Sequence, residues 1–259
     1  MKIAFAGKGG VGKTTLAAWV GDYLARKGAH VWMIDADTAL SLGQASGLPA
    51  AELPAPLVTR EDLVRERIGQ GLISISAQVD DLPESLAVGL PVSSGNDSGG
   101  GKRLLVMGTI AAAGGGCACS ANALLKALLA HVFLERDDYV MVDLEAGVEH
   151  LGRGAVEGVD GLVVVSEPSF RGLETAAAIS ELAGQLGLDN QVLVLNRTAA
   201  VPESLAVEGL PERVISFPPI QGLVERQLAS PSVLGLPEQD EIDERVGRLF
   251  ALLEEGRCR

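Results

Sequence analysis

The feature that most constrains this chain is the glycine-rich sequence GKGGVGKTT at residues 7–15, which begins where a short apolar run ends. It fits the pattern G-x-x-x-x-G-K-[ST], with Gly7 and Gly12 as the glycines and Lys13 and Thr14 after them. A segment with helical spacing follows directly, so the pattern stands in the strand, loop and helix context of a phosphate-binding loop. The alternative is a glycine-rich turn that contains a lysine by chance, and such a turn would not require a strand before it and a helix after it. The motif therefore predicts an α/β fold with a phosphate site after its first strand.

Each residue type in this loop has a chemical task at a polyphosphate. Glycines allow backbone N–H groups to turn inward around phosphate oxygens, and the helix N-terminus adds a partial positive charge. We expect the Lys13 side chain to reach the β and γ phosphates and the Thr14 hydroxyl to ligate Mg²⁺. The residues predicted to contact the nucleotide here are Gly9, Gly10, Val11, Gly12, Lys13, Thr14 and Thr15.

The rest of the chain alternates short apolar runs with longer segments of helical spacing, which is typical of a mostly parallel sheet with helices on both faces. The predicted strands are 2–7, 30–35, 72–77, 104–108, 139–143, 161–166 and 191–196. The predicted helices are 14–28, 121–135, 172–187 and 238–256. Stretches 49–69 and 92–102 interrupt this rhythm, the second as a mobile loop by composition, but neither has the features of a domain boundary. We therefore predict a single P-loop domain over 1–259.

The charge of the chain argues against two classes of partner. A formal net charge of -13 and an isoelectric point near 4.7 disfavour binding to nucleic acid or to an anionic membrane surface. The N-terminal apolar run is too short for a signal peptide, and no stretch approaches the roughly 20 apolar residues of a membrane span. The sequence therefore predicts a cytoplasmic protein with neither a nucleic-acid nor a membrane partner.

A second lysine in the loop, Lys8, gives the spelling K-G-G-x-G-K-T. This resembles the deviant Walker A motif of the ATPase family that contains MinD, ParA and the nitrogenase iron protein. The resemblance implies that the chain hydrolyses ATP to ADP as a homodimer joined through its nucleotide face. It also implies that Lys8 reaches the phosphates of the partner subunit, where a cation stabilises the transferring phosphoryl group. The alternative for Lys8 is a solvated loop lysine.

Three carboxylates follow apolar runs that we predict to be strands, at the edge where open α/β sheets bind ligands. The resemblance places Asp35 and Asp37 in the first switch of the family, with Asp35 favoured as the residue that orients the attacking water and Asp37 as its competitor. Asp37 has the alternative of capping the next helix. Asp143 ends the run YVMVD, a Walker B pattern whose carboxylate holds a Mg²⁺-bound water.

The predicted contacts to the adenine base depend on the same resemblance. Asn196 ends an apolar run where the family reads the adenine edge with an asparagine amide, and Arg197 follows it. Pro218 lies in the sequence FPP, where a backbone turn lines the base in relatives. An asparagine after a strand is otherwise a common turn residue.

Two of the three cysteines, Cys117 and Cys119, form a C-x-C pair in the sequence GGGCACS. On an extended backbone one intervening residue points both thiols to the same side, whereas on a helix they diverge by about 200°. A helix predicted to start at Ala121, capped by Ser120, favours their thiolate forms. Two thiolates fill half of a tetrahedral metal site, so a dimer contributing one pair from each subunit would complete it. Buried small side chains or a redox pair are the alternatives for these cysteines.

A more specific resemblance joins this pair to three other motifs. The segments 105–108, 115–129, 143–154 and 163–176 are similar to the CooC family of ATPases, which insert nickel during the maturation of carbon monoxide dehydrogenase. The resemblance implies that carbon monoxide dehydrogenase is the client and that Glu145, Glu149 and His150 belong to a second switch. For His150 we keep two roles open, an auxiliary nickel ligand and a residue that makes local hydrogen bonds within the switch.

Two other functions stay open at this point. One is a spatial-positioning ATPase like MinD or ParA, which the acidic C-terminal segment disfavours because such tails are basic and amphipathic when they bind membranes. The other is an iron-sulfur reductase like the nitrogenase iron protein, which would also use cysteine thiolates.

Overall fold

The central strand of the protein is the apolar run that precedes the P-loop. In a computed structural model, the described residues are 1–68, 79–93, 99–108, 124, 126–132, 138–148 and 158–257. Within them, the strands are β1 (Lys2–Ala6), β2 (His30–Ala36), β3 (Val88–Leu90), β4 (Gly101–Val106), β5 (Tyr139–Leu144), β6 (Gly161–Ser166), β7 (Gln191–Asn196) and β8 (Arg213–Phe217). They form one sheet in the order β3-β4-β2-β5-β1-β6-β7-β8, in which only the β3–β4 pairing is antiparallel. The predicted mostly parallel sheet is confirmed.

The strand order brings the polar strand ends together. Strand β5 lies between β1 and β2, and its register pairs Asp143 with Asp35 on β2 and with Phe5 on β1. On the other side of β1, strand β6 ends at Ser166. The P-loop therefore leaves the sheet between the carboxyl ends of β5 and β6, with two carboxylates beside it.

Helices cover both faces of the sheet, as a doubly wound fold requires. The described helices are α1 (Lys13–Arg26), α2 (Leu42–Ala45), α3 (Glu61–Ile68), α4 (Leu82–Leu86), α5 (Phe170–Gln185), α6 (Gln221–Gln227) and α7 (Gln239–Arg257). Residues 126–132 are also helical. None of these described helices is long and apolar enough to cross a membrane.

Side chains on the two faces of β1 pack into two different aliphatic cores, because successive side chains of a strand point in opposite directions. Ile3 and Phe5 face the core that α1 and α7 cover, whereas Ala4 and Ala6 face the core that α5 and the helical segment 126–132 cover. Small side chains on one face and large ones on the other let helices pack at different depths. The P-loop strand is thus held firmly from both sides.

A buried ion cluster fixes α1 behind the P-loop. Asp22 accepts hydrogen bonds from Lys102 Nζ at 2.7 Å, from Arg26 Nε at 2.9 Å and from Ser93 Oγ at 2.5 Å. Burial alone would raise the pKa of Asp22, but the Lys102 ammonium and these hydrogen bonds hold it below its usual value. Arg26 also donates two hydrogen bonds to Asp243 on α7. The helix that follows the P-loop is therefore tied to β4 and to the C-terminal helix.

Several predicted boundaries move in the structure. The strand predicted at 104–108 lies at Gly101–Val106, because its first residues continue the ladder with His30 and Val31, so the predicted loop 92–102 ends before Gly101. The stretch 49–69 has more structure than we predicted, with two 3₁₀ turns and α3. The strand predicted at 72–77 lies outside the described residues.

Candidate nucleotide site

The backbone of the P-loop depends on glycine at two positions. Gly7 has a φ of 149°, and a Cβ there would lie 2.2 Å from the Val165 carbonyl oxygen, so any side chain would collide with β6. Its N–H donates to the Ala146 carbonyl oxygen at 2.8 Å, which links the loop to the segment after β5. Gly12 has a φ of 104° and immediately precedes α1. Left-handed backbone at these positions turns the chain tightly from β1 into the helix.

The P-loop forms one wall of a cleft of about 540 Å³ at the carboxyl edge of the sheet. Its lining residues come from the P-loop, from the segments after β2 and β5, and from the ends of β7 and α6. They are Gly9, Gly10, Gly12, Lys13, Thr14, Thr15, Asp37, Thr38, Ala39, Ser41, Glu145, Ala146, Arg197 and Gln227. Six of the seven predicted P-loop contacts line the cleft, and only Val11 lies outside the lining.

Lys13 is the buried cation of the cleft, with 4% of its surface exposed. Its Nζ lies 3.7 Å from Asp37 Oδ2. The other Asp37 oxygen, Oδ1, accepts hydrogen bonds from the Ala39 N–H at 2.9 Å and from Thr38 Oγ1 at 3.3 Å. A phosphate entering the cleft would compete with Asp37 for the ammonium, so binding would change the contacts of the segment after β2.

Thr14 and Asp143 form a second polar pair at the base of the cleft. Thr14 Oγ1 donates to Asp143 Oδ2 at 2.5 Å, and Ser41 Oγ donates to Thr14 Oγ1 at 3.4 Å. Asp143 is fully buried, and burial followed by the nearby Asp35 carboxylate raises its pKa to about 7. Its Oδ1 atom has no hydrogen-bond partner among the described residues. A hydroxyl beside a carboxylate with an unused oxygen suits Mg²⁺, which prefers oxygen ligands and bound waters.

Asp35 lies behind the cleft rather than in its lining. It is fully buried, and its carboxylate accepts from the Leu42 N–H at 3.0 Å and from the Asp37 N–H at 3.3 Å. Burial raises its pKa to about 6, although these two backbone hydrogen bonds oppose the shift. Asp35 therefore holds the segment between β2 and α2 in place, while Asp37 faces the cleft.

The predicted base-side residues lie in three different environments. Asn196 Nδ2 donates to the Val11 carbonyl oxygen at 2.7 Å, so this amide contacts the P-loop. Arg197 lines the cleft and donates from Nη2 to the Gly10 carbonyl oxygen at 3.1 Å. Pro218 directly follows β8, is half-buried and lies outside the lining of the cleft.

The remaining predicted residues are Lys8, Glu145 and a group that lies outside the described residues. Lys8 is exposed and lies outside the lining of the cleft of its own chain. Glu145 lines the cleft and accepts a hydrogen bond from Thr38 Oγ1 at 3.1 Å. The other predicted switch and metal residues, Cys117, Cys119, Glu149 and His150, lie outside the described residues. Within the part of the chain that is described, no group of three or more His, Cys, Asp or Glu side chains could hold a metal ion.

Sequence reasoning missed several polar residues of the site. Thr38 and Ser41 lie in the segment DADTALS, where polar residues after a buried strand could have suggested them. Gln227 belongs to α6 and carries no motif, so only the fold brings it to the cleft. Strand, glycine loop, buried lysine and paired carboxylates together define a P-loop nucleotide-binding protein.

Comparison with known proteins gives the family. The model of the CobQ/CobB/MinD/ParA nucleotide binding domain matches residues 2–210. The carbon monoxide dehydrogenase accessory protein CooC of Rhodospirillum rubrum is 41% identical over 207 residues, which are 77% of this chain and 75% of that protein. An ATP-binding protein of Methanocaldococcus jannaschii is 39% identical over 203 residues, 76% of this chain and 75% of that protein. The chain belongs to the CobQ/CobB/MinD/ParA family and is an ATPase, and its resemblance to CooC is confirmed.

Solved structures agree on the fold. The MinD cell division protein of Aquifex aeolicus superposes with a TM-score of 0.65 over 96% of both chains, at 22% identity. A ParA family ATPase of Chlorobium tepidum gives a TM-score of 0.62 over 95% of both chains, at 18% identity. At these identities the likeness extends to the fold alone.

Proposed function

We propose that this ATPase is a metallochaperone that binds Ni²⁺, or Zn²⁺, through Cys117 and Cys119 and assists nickel insertion into carbon monoxide dehydrogenase. The observation that carries the proposal is the 41% identity to the accessory protein CooC. The C-x-C pair supplies the matching chemistry, because thiolates are soft ligands that take both metals. The metal is cargo for the client, and ATP hydrolysis provides the step that releases it.

Side chains of the P-loop and of β5 have different proposed roles at the nucleotide. Lys13 would contact the β and γ phosphates, and Thr14 and Asp143 would hold Mg²⁺, the threonine directly and the aspartate through a water. The Asp143 oxygen that has no hydrogen-bond partner in the described part of the chain supports this fit. When bound, Mg²⁺ would supply positive charge that neutralises the negative charge developing on the phosphate oxygens.

For the attacking water, the geometry favours Asp37 over Asp35. Asp37 lines the cleft beside Lys13, whereas both oxygens of Asp35 accept hydrogen bonds from backbone N–H groups. A carboxylate that orients water needs an oxygen within hydrogen-bond reach of the reacting atoms. We therefore assign the water to Asp37 and a positioning role to Asp35.

Asp37→Asn is expected to lower kcat by about 10²-fold, because an amide is a much weaker acceptor for the water proton. Binding of ADP should weaken far less, since Lys13 and the loop amides stay in place. Steady-state ATPase rates and calorimetric ADP titration measure the two quantities. Asp240→Asn, in the exposed first turn of α7, is the matched control and should behave as wild type. A wild-type kcat in Asp37→Asn would reject the assignment.

The dimer explains how a half-filled metal site is completed. If two subunits associate through their nucleotide faces with Cys117 and Cys119 near the axis, four thiolates form one tetrahedral site. ATP and metal then favour the same dimer, so each raises the affinity for the other by linkage. Hydrolysis weakens the dimer and with it the metal site, which couples ATP turnover to metal release.

The test is titration of metal-free protein with Ni²⁺ and with Zn²⁺, in ADP and in a nonhydrolysable ATP analogue, while the oligomer mass is measured. We expect one metal per dimer and tighter binding with the analogue. The Cys117→Ser, Cys119→Ser double variant should lose this site. Cys258→Ser removes the third cysteine of the chain and should keep it.

Two outcomes would contradict the proposal. One is unchanged metal stoichiometry and affinity in the double variant. The other is ATP-dependent sedimentation of the wild-type protein with anionic vesicles or DNA, which belongs to a positioning ATPase. Absorption near 400 nm after anaerobic iron-sulfur reconstitution would instead favour a reductase.

A further inference from the structure

Two consecutive carbonyl groups of the P-loop are held by two consecutive side chains from another strand. Asn196 Nδ2 donates to the Val11 carbonyl oxygen at 2.7 Å, and Arg197 Nη2 donates to the Gly10 carbonyl oxygen at 3.1 Å. Asn196 is the last residue of β7, which is separated from β1 by β6. Contacts between residues about 185 positions apart therefore fix two adjacent peptide planes of the loop.

Holding these carbonyl oxygens also sets the direction of the N–H groups on the same peptides. In a trans peptide the N–H points opposite to the C=O, so the N–H groups of Val11 and Gly12 point away from Asn196 and Arg197. The Val11 N–H lies 3.5 Å from the Lys8 carbonyl oxygen, a long contact that a phosphate oxygen can replace. A flipped peptide would instead present a carbonyl oxygen to the phosphate and repel it.

Arg197 is itself held by two contacts. Its backbone has a φ of 59°, a left-handed conformation that costs energy for a residue with a side chain, and its N–H donates to Asn196 Oδ1 at 2.9 Å. Its guanidinium forms an ion pair with Glu167, which directly follows β6. The arginine side chain is 57% exposed, so Glu167 rather than packing keeps it against the loop.

We propose that Glu167 is a positioning residue for nucleotide binding, which acts through Arg197 to keep the Gly10 peptide in the orientation that accepts phosphate. Asn196 does the same for the Val11 peptide. Strands β6 and β7 thus supply a clamp that prepares the loop before the nucleotide arrives, which lowers the ordering cost of binding. The proposal concerns the ATPase site alone and does not depend on the metal or the client.

Glu167→Ala is expected to weaken binding of ADP and ATP by about five- to tenfold, since it releases a charge-assisted contact to the loop. The fall in kcat/KM should lie mostly in KM. Isothermal titration with ADP and steady-state kinetics measure these changes. Glu167→Gln keeps an acceptor for Arg197 and should recover part of the affinity. Glu174→Ala, at an exposed position of α5, is the control and should match wild type.

Whether Glu167→Ala weakens or strengthens nucleotide binding distinguishes the positioning role of Glu167 from a purely electrostatic one. If Arg197 bound phosphate directly and Glu167 merely neutralised it, Glu167→Ala would leave nucleotide affinity unchanged or raise it. The proposal also predicts that Glu167→Ala causes no further loss of nucleotide affinity in the Arg197→Ala background. Both substitutions remove the same support of the Gly10 peptide. Unchanged or tighter nucleotide binding in Glu167→Ala, or losses that add fully in the double variant, would overturn the proposal. Thermal denaturation checks folding and should shift little, because exposed ion pairs contribute little stability.

Discussion

Lys8→Ala is expected to remain monomeric with a nonhydrolysable ATP analogue and to hydrolyse ATP about 10³-fold more slowly, while it still binds nucleotide. The structure separates the two P-loop lysines. Lys13 is 4% exposed and lines the cleft of its own chain, whereas Lys8 is exposed and lies outside that lining. A contribution of Lys8 to turnover would therefore come from its reach into the cleft of a second subunit.

Mass measurement with the analogue and ATPase assays test this expectation. Lys27→Ala provides the control, because Lys27 is also exposed but follows α1 at the end remote from the P-loop. It should dimerise and turn over like wild type. Full activity of Lys8→Ala would remove the role in trans.

Mixing two inactive variants tests more directly whether Lys8 acts on the nucleotide of its own chain or on that of the partner subunit. In a dimer of Lys8→Ala with Asp37→Asn, the first subunit keeps its own Asp37 and receives Lys8 from the second. One of its two sites is then complete, so equimolar random mixing should restore up to about a quarter of the wild-type rate. If Lys8 acted on the nucleotide of its own chain, neither site would be complete and the mixture would stay inactive.

The sequence predicts the fold well because its strongest signals are local. Buried parallel strands are short apolar runs, and the P-loop assigns the first of them to the centre of the nucleotide site. Strand β3 escaped prediction because three residues pairing at an antiparallel edge carry no periodicity. The start of β4 escaped it because Gly101 and Lys102 extend the strand by backbone pairing and not by apolar side chains.

The side-chain contacts of the candidate site are harder to predict from the sequence, because the interacting residues are distant from one another along the chain. The sequence motif does not distinguish Asp35 from Asp37. In the structure the Asp35 carboxylate accepts a hydrogen bond from the Leu42 N–H, whereas Asp37 faces the cleft. The base contact predicted for Asn196 from its place at a strand end stays a prediction, and nothing in the sequence indicates that its amide also donates to a P-loop carbonyl oxygen. Glu167 lies in the segment 163–176 that resembles CooC, but the resemblance gives it no role, and the role that we propose for it follows from its ion pair with Arg197.

Asp143→Asn is expected to make the metal-free protein more stable and the enzyme inactive. Asp143 is fully buried, one of its oxygens has no partner among the described residues, and its pKa is raised to about 7. Its ionised form is therefore destabilised in the fold. Asparagine keeps the shape and can still accept from Thr14, but it removes the buried charge.

The size of this stabilisation should depend on pH. The folded carboxyl binds its proton more tightly than the unfolded one, so the contribution of Asp143 to the stability of the wild-type protein falls as pH rises from about 4 to about 7. The neutral amide has no such dependence. At pH 8 in EDTA we expect Asp143→Asn to gain on the order of 2 kcal/mol in the free energy of unfolding, and the gain should shrink towards pH 5.

Activity should change in the opposite direction, because we propose that the same carboxylate holds a water bound to Mg²⁺. We expect ATPase activity to fall by at least about 10²-fold and the stabilisation that Mg²⁺ with ADP gives the wild type to diminish. Denaturant unfolding at the two pH values, with and without Mg²⁺ and ADP, measures both effects, and Asp240→Asn serves again as the control. A variant less stable than wild type at pH 8 would show that the buried charge is compensated. The Asp143 oxygen without a partner among the described residues argues against that, and we infer that the fold keeps a destabilising carboxylate because the reaction uses it.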